Sequence, residues 1–299
     1  MKQRTVSAIK VFNRVVSEKL KHFPSRFTPF KRKTSLDEAI TRFFFSRYEL
    51  VVATESADKE VSYKTRHKVY CEEMKYEQEN SNSIEKDKFD ERAINCYIKH
   101  LPTGECAGTI RLVLPTEKGL ALPLEEKCGK AITDPALLPS NLNFEGVCEI
   151  SRLAIPKEFR VRQLRTKILP KEKLESVKRV RNLSFNIEQF PYLSIALYLM
   201  ATSLCLHLNI SHAYVLMEPK LARRMKAFGI HFNSVGEEVN FNGVRMPYRV
   251  SPSKLVESLA KPLKRFHREI DNELQKVAHT IRVPKAPARN NVVKIAKAA

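Results

Sequence analysis

The sequence predicts an α/β (α+β) domain over residues 48–250, a mixed central sheet flanked by helices, with basic helical extensions at both ends. Three observations carry this. Short apolar runs with strand-like alternation recur, including Tyr48–Ala53, Ala93–His100, Cys106–Leu114, Val147–Pro156 and His212–Met217. Gln189–Leu208 reads as a long, apolar, central helix. Pro102-Thr103-Gly104 and Asn242-Gly243 are tight-turn sequences that join neighbouring runs into hairpins.

Taken in order, residues 5–24 place Val6, Ile9, Phe12, Val16, Leu20 and Phe23 three and four apart among Lys and Arg, the pattern of a basic amphipathic helix. Residues 24–33 hold prolines and read as a linker. Ser35 with Glu38 three residues on is a capping-box pattern that opens a helix through Phe43-Phe44-Phe45. After the first strand, a helix is expected from about Asp58 to Glu73, then a polar stretch leading into the acidic patch 84–91. The hairpin 93–114 follows, and residues 115–146, with Pro123, Pro135 and Pro139, read as loop with short helical pieces. Beyond His212–Met217, Leu221–Phe228 is a short helix stopped by Gly229, and 231–250 holds two strands around Asn242-Gly243. A second basic amphipathic helix is expected from Lys254 to about Ile281, bent or restarted at Pro262. The organisation is thus 1–47 basic helical extension, 48–250 main domain with a basic insertion at about 157–185, 251–283 basic C-terminal helix, and 284–299 disordered tail.

Composition narrows the function classes. The chain has 299 residues with a formal net charge of +20. Residues 1–35 carry ten basic side chains against one acidic, while 157–182 and 260–299 each carry ten against three, so the central body is close to neutral. Such surfaces suit nucleic acid, an anionic membrane face or an acidic protein. The body does not interleave aromatic residues with Lys and Arg on one strand face, which speaks against single-strand binding. No apolar run is long enough to span a bilayer and no secretory signal pattern opens the chain, so a cytoplasmic location, with possible peripheral contact at the inner membrane face, is the expectation. The six cysteines show no Cys-x-x-Cys pair, which argues against disulfides and zinc.

Charged residues inside the body locate the chemistry. Glu149 and Arg152 interrupt the apolar run Val147–Pro156, and their spacing on an ideal strand sends them to opposite faces, so each needs its own counter-charge. Arg66 on a helix, Asp87 and Asp90 in a polar loop, and Arg111 on a strand are the other members. Asp87 and Asp90 flank Phe89, so one turn can aim both carboxylates the same way while the ring anchors the loop, and arginine pairs with such carboxylates in a fork. The set has no histidine and its arginines would compete with a cation, so no metal is expected. It could equally be an ion-pair network that pins a loop to a sheet.

The order Arg66-x-x-Val69-Tyr70, Asp87-x-Phe89-Asp90, Gly108-Thr109-x-Arg111-Leu112 and Glu149-x-Ser151-Arg152 resembles the signature of the acyl-homoserine lactone synthases, whose fold is similar to that of the Gcn5-related N-acetyltransferases. Val215–Arg224, Phe228–Phe232 and Gly243–Tyr248 resemble more closely the acyltransferases associated with the PEP-CTERM/exosortase system of bacteria, and also the N-acyl amino acid synthases. The resemblance implies transfer of an acyl group from a carrier-protein or CoA thioester to an amine, with no bound cofactor. It makes Glu149 the general base, Arg66, Asp87, Asp90 and Arg111 the residues that shape the amine-donor pocket, and Arg152 a structural ion-pair partner.

Two departures shape the expectation. The chain has no tryptophan, where lactone synthases usually carry one, and Tyr70 and Tyr76 are the candidates for that space, which counts against an S-adenosylmethionine pocket and lactone production. Lys157-Glu158-Phe159-Arg160 follows the Glu149 strand where acetyltransferases have a glycine-rich phosphate cradle. That favours acyl carrier protein, which is acidic, over CoA, and gives the basic insertion a partner. The expectation is an N-acyltransferase that moves a fatty acyl group to a small amine such as an amino acid. The alternatives are a lactone synthase or a non-enzymatic basic protein that binds nucleic acid or membrane. Cys148, on the other side of the pleat from Glu149, is not expected to act as a nucleophile.

Overall fold

The computed structural model describes residues 35–160, 191–277 and 281. The helix expected over 5–24, most of the basic insertion and the C-terminal tail lie outside the described residues. The described chain begins with α1 (Leu36–Phe45), β1 (Tyr48–Ala53) and α2 (Ser56–His67), which runs on into a π-helical turn, Lys68–Glu73. A 3-10 turn at Lys88–Arg92 leads into β2 (Ala93–His100), β3 (Cys106–Val113), α3 (Pro123–Cys128) and β4 (Val147–Ala154). Next come α4 (Tyr192–His207), β5 (His212–Met217), α5 (Pro219–Lys226) and the short strands β6 (Asn233–Ser234) and β7 (Val239–Asn240). The described chain closes with β8 (Val244–Val250), α6 (Pro252–Ser258) and α7 (Lys261–Val277).

The sheet runs β1-β2-β3-β4-β5-β8-β6, with β7 paired to β8. Its pairings are antiparallel except β4 with β5. The helix α4 has no polar face because it is enclosed on all sides: Ile195, Leu197, Leu199, Met200 and Leu204 are fully buried in the main core with the sheet, α1 and α7. Each such side chain contributes roughly 1.5–3 kcal/mol by leaving water. Phe44 of α1 meets Phe266 of α7 edge-on, with ring centroids 5.1 Å apart, which fastens both helices to the same layer.

Local signals held or failed for identifiable reasons. The long C-terminal helix divides into α6 and α7 just before Pro262. At the end of α5, Gly229 takes φ +81, and the Ile230 and Gly229 N–H groups donate back to the Met225 and Lys226 carbonyls, so the expected glycine stop is a Schellman turn. The capping box at Ser35 does not form. Ser35 caps no backbone N–H; its hydroxyl serves the Asp37 carboxylate instead and holds it below its ordinary range.

The strand β4 is where the sheet's two faces divide the labour. Cys148 and Ile150 point into the main core, and the Cys148 thiol lies 3.5 Å from that of Cys205 on α4. Val147 points to the other side, into a smaller cluster with Phe89, Val113, Leu122, Leu124 and Tyr214, and alternation places Glu149 on that side too. The segment 115–146 covers this second face and buries Glu149 to 3% exposure.

Candidate active site

Arg66 ends α2 and is fully buried. Its guanidinium forks onto Asp90, at 2.7 and 3.0 Å, and its Nε donates to Glu85. The turn holding Asp90 is built by its own acids. The Asp87 carboxylate accepts from the Phe89 N–H at 2.9 Å, Asp90 accepts from the Asp87 N–H at 2.9 Å, and the Phe89 ring is buried beneath them. Arg111 on β3 reaches Asp87 at 2.7 Å and Asp90 at 3.0 Å, and its Nε donates to the Ser151 hydroxyl at 3.3 Å.

Arg152 departs from the expectation of opposite faces. Opposite Thr109 and Arg111, β4 pairs Ala154 and Ser151, so it spans the same gap with one extra residue. Arg152 sits in this bulge at φ +52, and the break in alternation turns its side chain to the loop that carries the acids. There it donates to Glu85 and to Asp87, both at 3.1 Å. Arg152 and Glu149 therefore face one cavity, although no hydrogen bond between them is formed.

The cavity has a volume of about 1150 Å³ and is walled by Glu149, Ser151, Arg152, Asp87, Glu85, Tyr70 and Tyr198 together with Val215–Met217 of β5. It opens where β4 and β5 part. Their parallel pairing stops at Glu149 with Tyr214, although β4 continues to Ala154 and β5 to Met217. On the released edge the Leu153 carbonyl accepts from the Tyr70 hydroxyl at 2.7 Å. The rings of Tyr70 and Tyr76 stack with centroids 6.4 Å apart, and both line the cavity. The π-helical turn that carries Tyr70 re-aims the end of α2 toward this space.

The six sequence candidates thus converge, in two layers. Asp87, Glu149 and Arg152 line the cavity. Arg66, Asp90 and Arg111 stand behind, paired with one another and fixing the loop, and Arg111 Nη2 is buried there without a hydrogen-bond partner. Sequence reading missed Glu85, which bonds both Arg66 and Arg152; the need for a third acid to balance three arginines could have singled it out from the acidic patch. It also missed the cavity residue Tyr198, which apolar periodicity cannot distinguish from core.

Three arginines against Glu85, Asp87 and Asp90 leave the network without net charge. Against its burial, Arg66 and Arg111 hold the Asp90 carboxyl down to about 2, and Arg66 itself is held protonated, against burial, by Asp90 and Glu85. Glu149 is different. Burial pushes its carboxyl up from 4.5 to about 7, offset only in part by the Leu124 N–H, which donates at 2.7 Å, and by the charges of Arg111 and Arg152. It is a carboxyl in a cavity wall poised to take or hold a proton near neutral pH.

Residues 65–169 match the protein family described as acetyltransferase (GNAT) domain. Among solved structures, the chain superposes on BjaI, a CoA-dependent acyl-homoserine lactone synthase solved with SAM and isopentyl-CoA, at a TM-score of 0.51 and 15% identity. That alignment covers 79% of this chain and 99% of that one. TofI, solved in a ternary complex with an inhibitor and MTA, aligns at a TM-score of 0.51 and 15% identity over 73% of this chain and 98% of that one. FeeM, an N-acyl amino acid synthase from uncultured soil microbes, aligns at 0.47 and 13% identity over 73% and 98%. No curated protein matches significantly. The likenesses to BjaI and TofI show the fold, and the matched acetyltransferase domain on it is that of an N-acyltransferase enzyme.

Proposed function

We propose that the protein transfers a fatty acyl group from an acyl thioester, carried by acyl carrier protein, to the amine of a small molecule such as an amino acid, with Glu149 as general base. The observation that carries this is Glu149 itself: a buried carboxyl raised to about 7, in the wall of a cavity that opens where two strands separate. Most amines are protonated at neutral pH and attack only after losing a proton, which a carboxylate titrating near 7 accepts directly or through water. The amine nitrogen then bonds to the thioester carbonyl carbon. The oxyanion that forms is met by backbone N–H groups along the edge where β4 and β5 no longer pair. Collapse breaks the carbon–sulfur bond, and the departing thiolate takes up a proton.

The neutral Arg66/Glu85/Asp87/Asp90/Arg111/Arg152 network supports the role of wall and scaffold for the amine pocket. Its arginines are matched in charge by Glu85, Asp87 and Asp90, and Glu149 makes no ion pair with any of them. Asp87 and Arg152 contact the amine substrate in this reading, and Arg66, Asp90 and Arg111 position them. The sequence likeness to the PEP-CTERM/exosortase-associated acyltransferases and the N-acyl amino acid synthases points the same way, toward a bacterial enzyme that draws on fatty acyl carriers in the cytoplasm. Lactone synthesis from S-adenosylmethionine is the second reading, favoured by the match of motif order to the lactone synthases and disfavoured by the absence of tryptophan.

Mass spectrometry of lipid extracts from cells expressing the protein or its Glu149→Gln variant tests the proposal. An N-acylated small molecule present with the wild type and absent with the variant is expected. Identical extracts would refute it, and an acyl lactone as the variant-sensitive product would install the second reading.

A further inference from the structure

The helix α7 has two unlike faces. Leu263, Phe266, Ile270 and Leu274 are buried in the main core, where the helix packs against α1 and α4. At about 3.6 residues per turn, the side opposite these four carries the cations Lys261, Lys264, Arg265, Arg268 and Lys276, with only amide side chains between the last two. The stripe runs the length of a helix about 25 Å long and holds no acid. The acids of α7 sit off it: Asp271 faces His207 of α4 at 3.1 Å, Glu269 is half-buried, and Glu273 reaches Lys276 from the flank at 2.7 Å. Lys261, Lys264 and Arg268 are exposed, and among the described residues they make no ion pair.

Charge alone does not choose an occupant for this face, and α5 also exposes cations, Lys220, Arg223 and Arg224. What singles out α7 is where the basic ends of the chain join the body. The start of α1 lies beside the first turns of α7, with Asp37 3.8 Å from Arg265. Residues 1–35, which carry ten basic side chains against one acidic, therefore reach the body at the cationic end of α7. At the other end, past Ile281, residues 282–299 carry five basic side chains and no acid. An acidic protein would answer the cations of such a surface. Residues 5–24 also space Val6, Ile9, Phe12, Val16, Leu20 and Phe23 among their cations, and an anionic bilayer is the surface that offers both phosphates and hydrocarbon to that pattern. The apolar side of α7 is already spent on the core, so this helix offers charge only.

We propose that the outward stripe of α7, centred on Lys261, Lys264 and Arg268, is the face on which the protein rests on an anionic lipid bilayer. The helix lies flat, its cations at the level of the headgroup phosphates and its apolar side held in the protein core. Each Lys or Arg near such a surface strengthens binding about fivefold, and added salt weakens the attraction. The inference stands apart from acyl transfer and does not depend on it.

The test uses the full chain, its variant Lys261→Gln/Lys264→Gln/Arg268→Gln, and a control, Lys220→Gln/Arg223→Gln/Arg224→Gln on α5. Co-sedimentation is measured with phosphatidylcholine vesicles made with and without phosphatidylglycerol, at rising salt, and urea unfolding checks that all three proteins are equally folded. The wild type is expected to bind the phosphatidylglycerol vesicles, to release them as salt rises and to leave pure phosphatidylcholine unbound. Neutralising the three α7 cations should weaken that binding about 100-fold, while the α5 control binds as the wild type does. Wild-type binding that is absent, or the same with and without phosphatidylglycerol, overturns the proposal. So does an α7 variant that binds as the wild type does, or a loss as large in the α5 control, which would make the effect one of net charge and not of this face. Anisotropy with labelled acyl carrier protein tests the other occupant: an α7 variant that loses the carrier and keeps the vesicles would assign the face to an acidic protein and refute the bilayer.

Discussion

Glu149→Gln keeps the shape of the side chain and its ability to accept the Leu124 N–H, but removes the group that titrates. A carboxyl raised from 4.5 to about 7 by folding binds its proton more tightly in the native state than in the unfolded chain. Native stability therefore falls as pH climbs from the ordinary value toward 7, and levels off above it, where the buried carboxylate is charged in both states. For a shift of this size, the wild type should lose about 2 kcal/mol relative to the glutamine variant between pH 5.5 and 8.5. Urea unfolding of both proteins across that range reads the difference through the midpoint, and other titrating groups cancel in the comparison. The variant should be the more stable protein at pH 8.5, with most of the gap closed at pH 5.5. A difference that does not change with pH, or one that favours the wild type more as pH rises, would refute the claim that Glu149 is buried and raised.

Asp90→Ala leaves Arg66 and Arg111 buried without their shared acid, and should destabilise the fold by about 3–5 kcal/mol in the same unfolding assay. Asp87→Asn, at a side chain 26% exposed, should cost less stability but lower turnover through the cavity wall. Gly236→Ala would bring a Cβ within 2.2 Å of the Ala131 carbonyl oxygen, so backbone must move; a lower thermal midpoint, by a loss of about 1–3 kcal/mol, is expected. Cys148 is fully buried against Cys205 with its thiol pushed well up, first by that contact and then by burial. Cys148→Ala should therefore leave acyl transfer intact, and iodoacetamide should fail to alkylate Cys148 in the native protein, as mass spectrometry of digests would show.

Most strands were legible because alternation and turn chemistry are local, whereas the two-residue β6 (Asn233–Ser234), a third strand within 231–250, was not. Tyr48–Ala53 and Ala93–His100 form as read, and Asn242 and Gly243 take the left-handed conformations, φ +51 and +95, that their turn requires. The charged residues of the site were legible for a different reason: charges in apolar surroundings need partners, and their number is small. What stayed hidden depends on three-dimensional neighbours. The bulge at Arg152 arises from the pairing of β4 with β3, so period two put that side chain on the wrong face. The parting of β4 from β5 is a relation between segments some 60 residues apart, Glu149 and Tyr214 being its last pair. Ser35 failed as a cap because Asp37 competes for its hydroxyl, a choice that sequence patterns do not rank. The donor to Glu149, a backbone N–H at Leu124, carries no side-chain signal at all.

The central claim is that Glu149 takes the proton from the attacking amine. The direct measurement is the pH profile of amine-dependent thiol release from a fatty acyl thioester, with the amine's own titration divided out, for the wild type and Glu149→Gln. The wild-type kcat/KM should rise with pH and level off above an apparent pKa near 7, because only the charged carboxylate accepts a proton. In the variant that limb should vanish and the rate should fall about 10²–10⁴-fold, the usual contribution of a positioned base. A variant that retains wild-type turnover, or one that keeps the limb near 7, would contradict it.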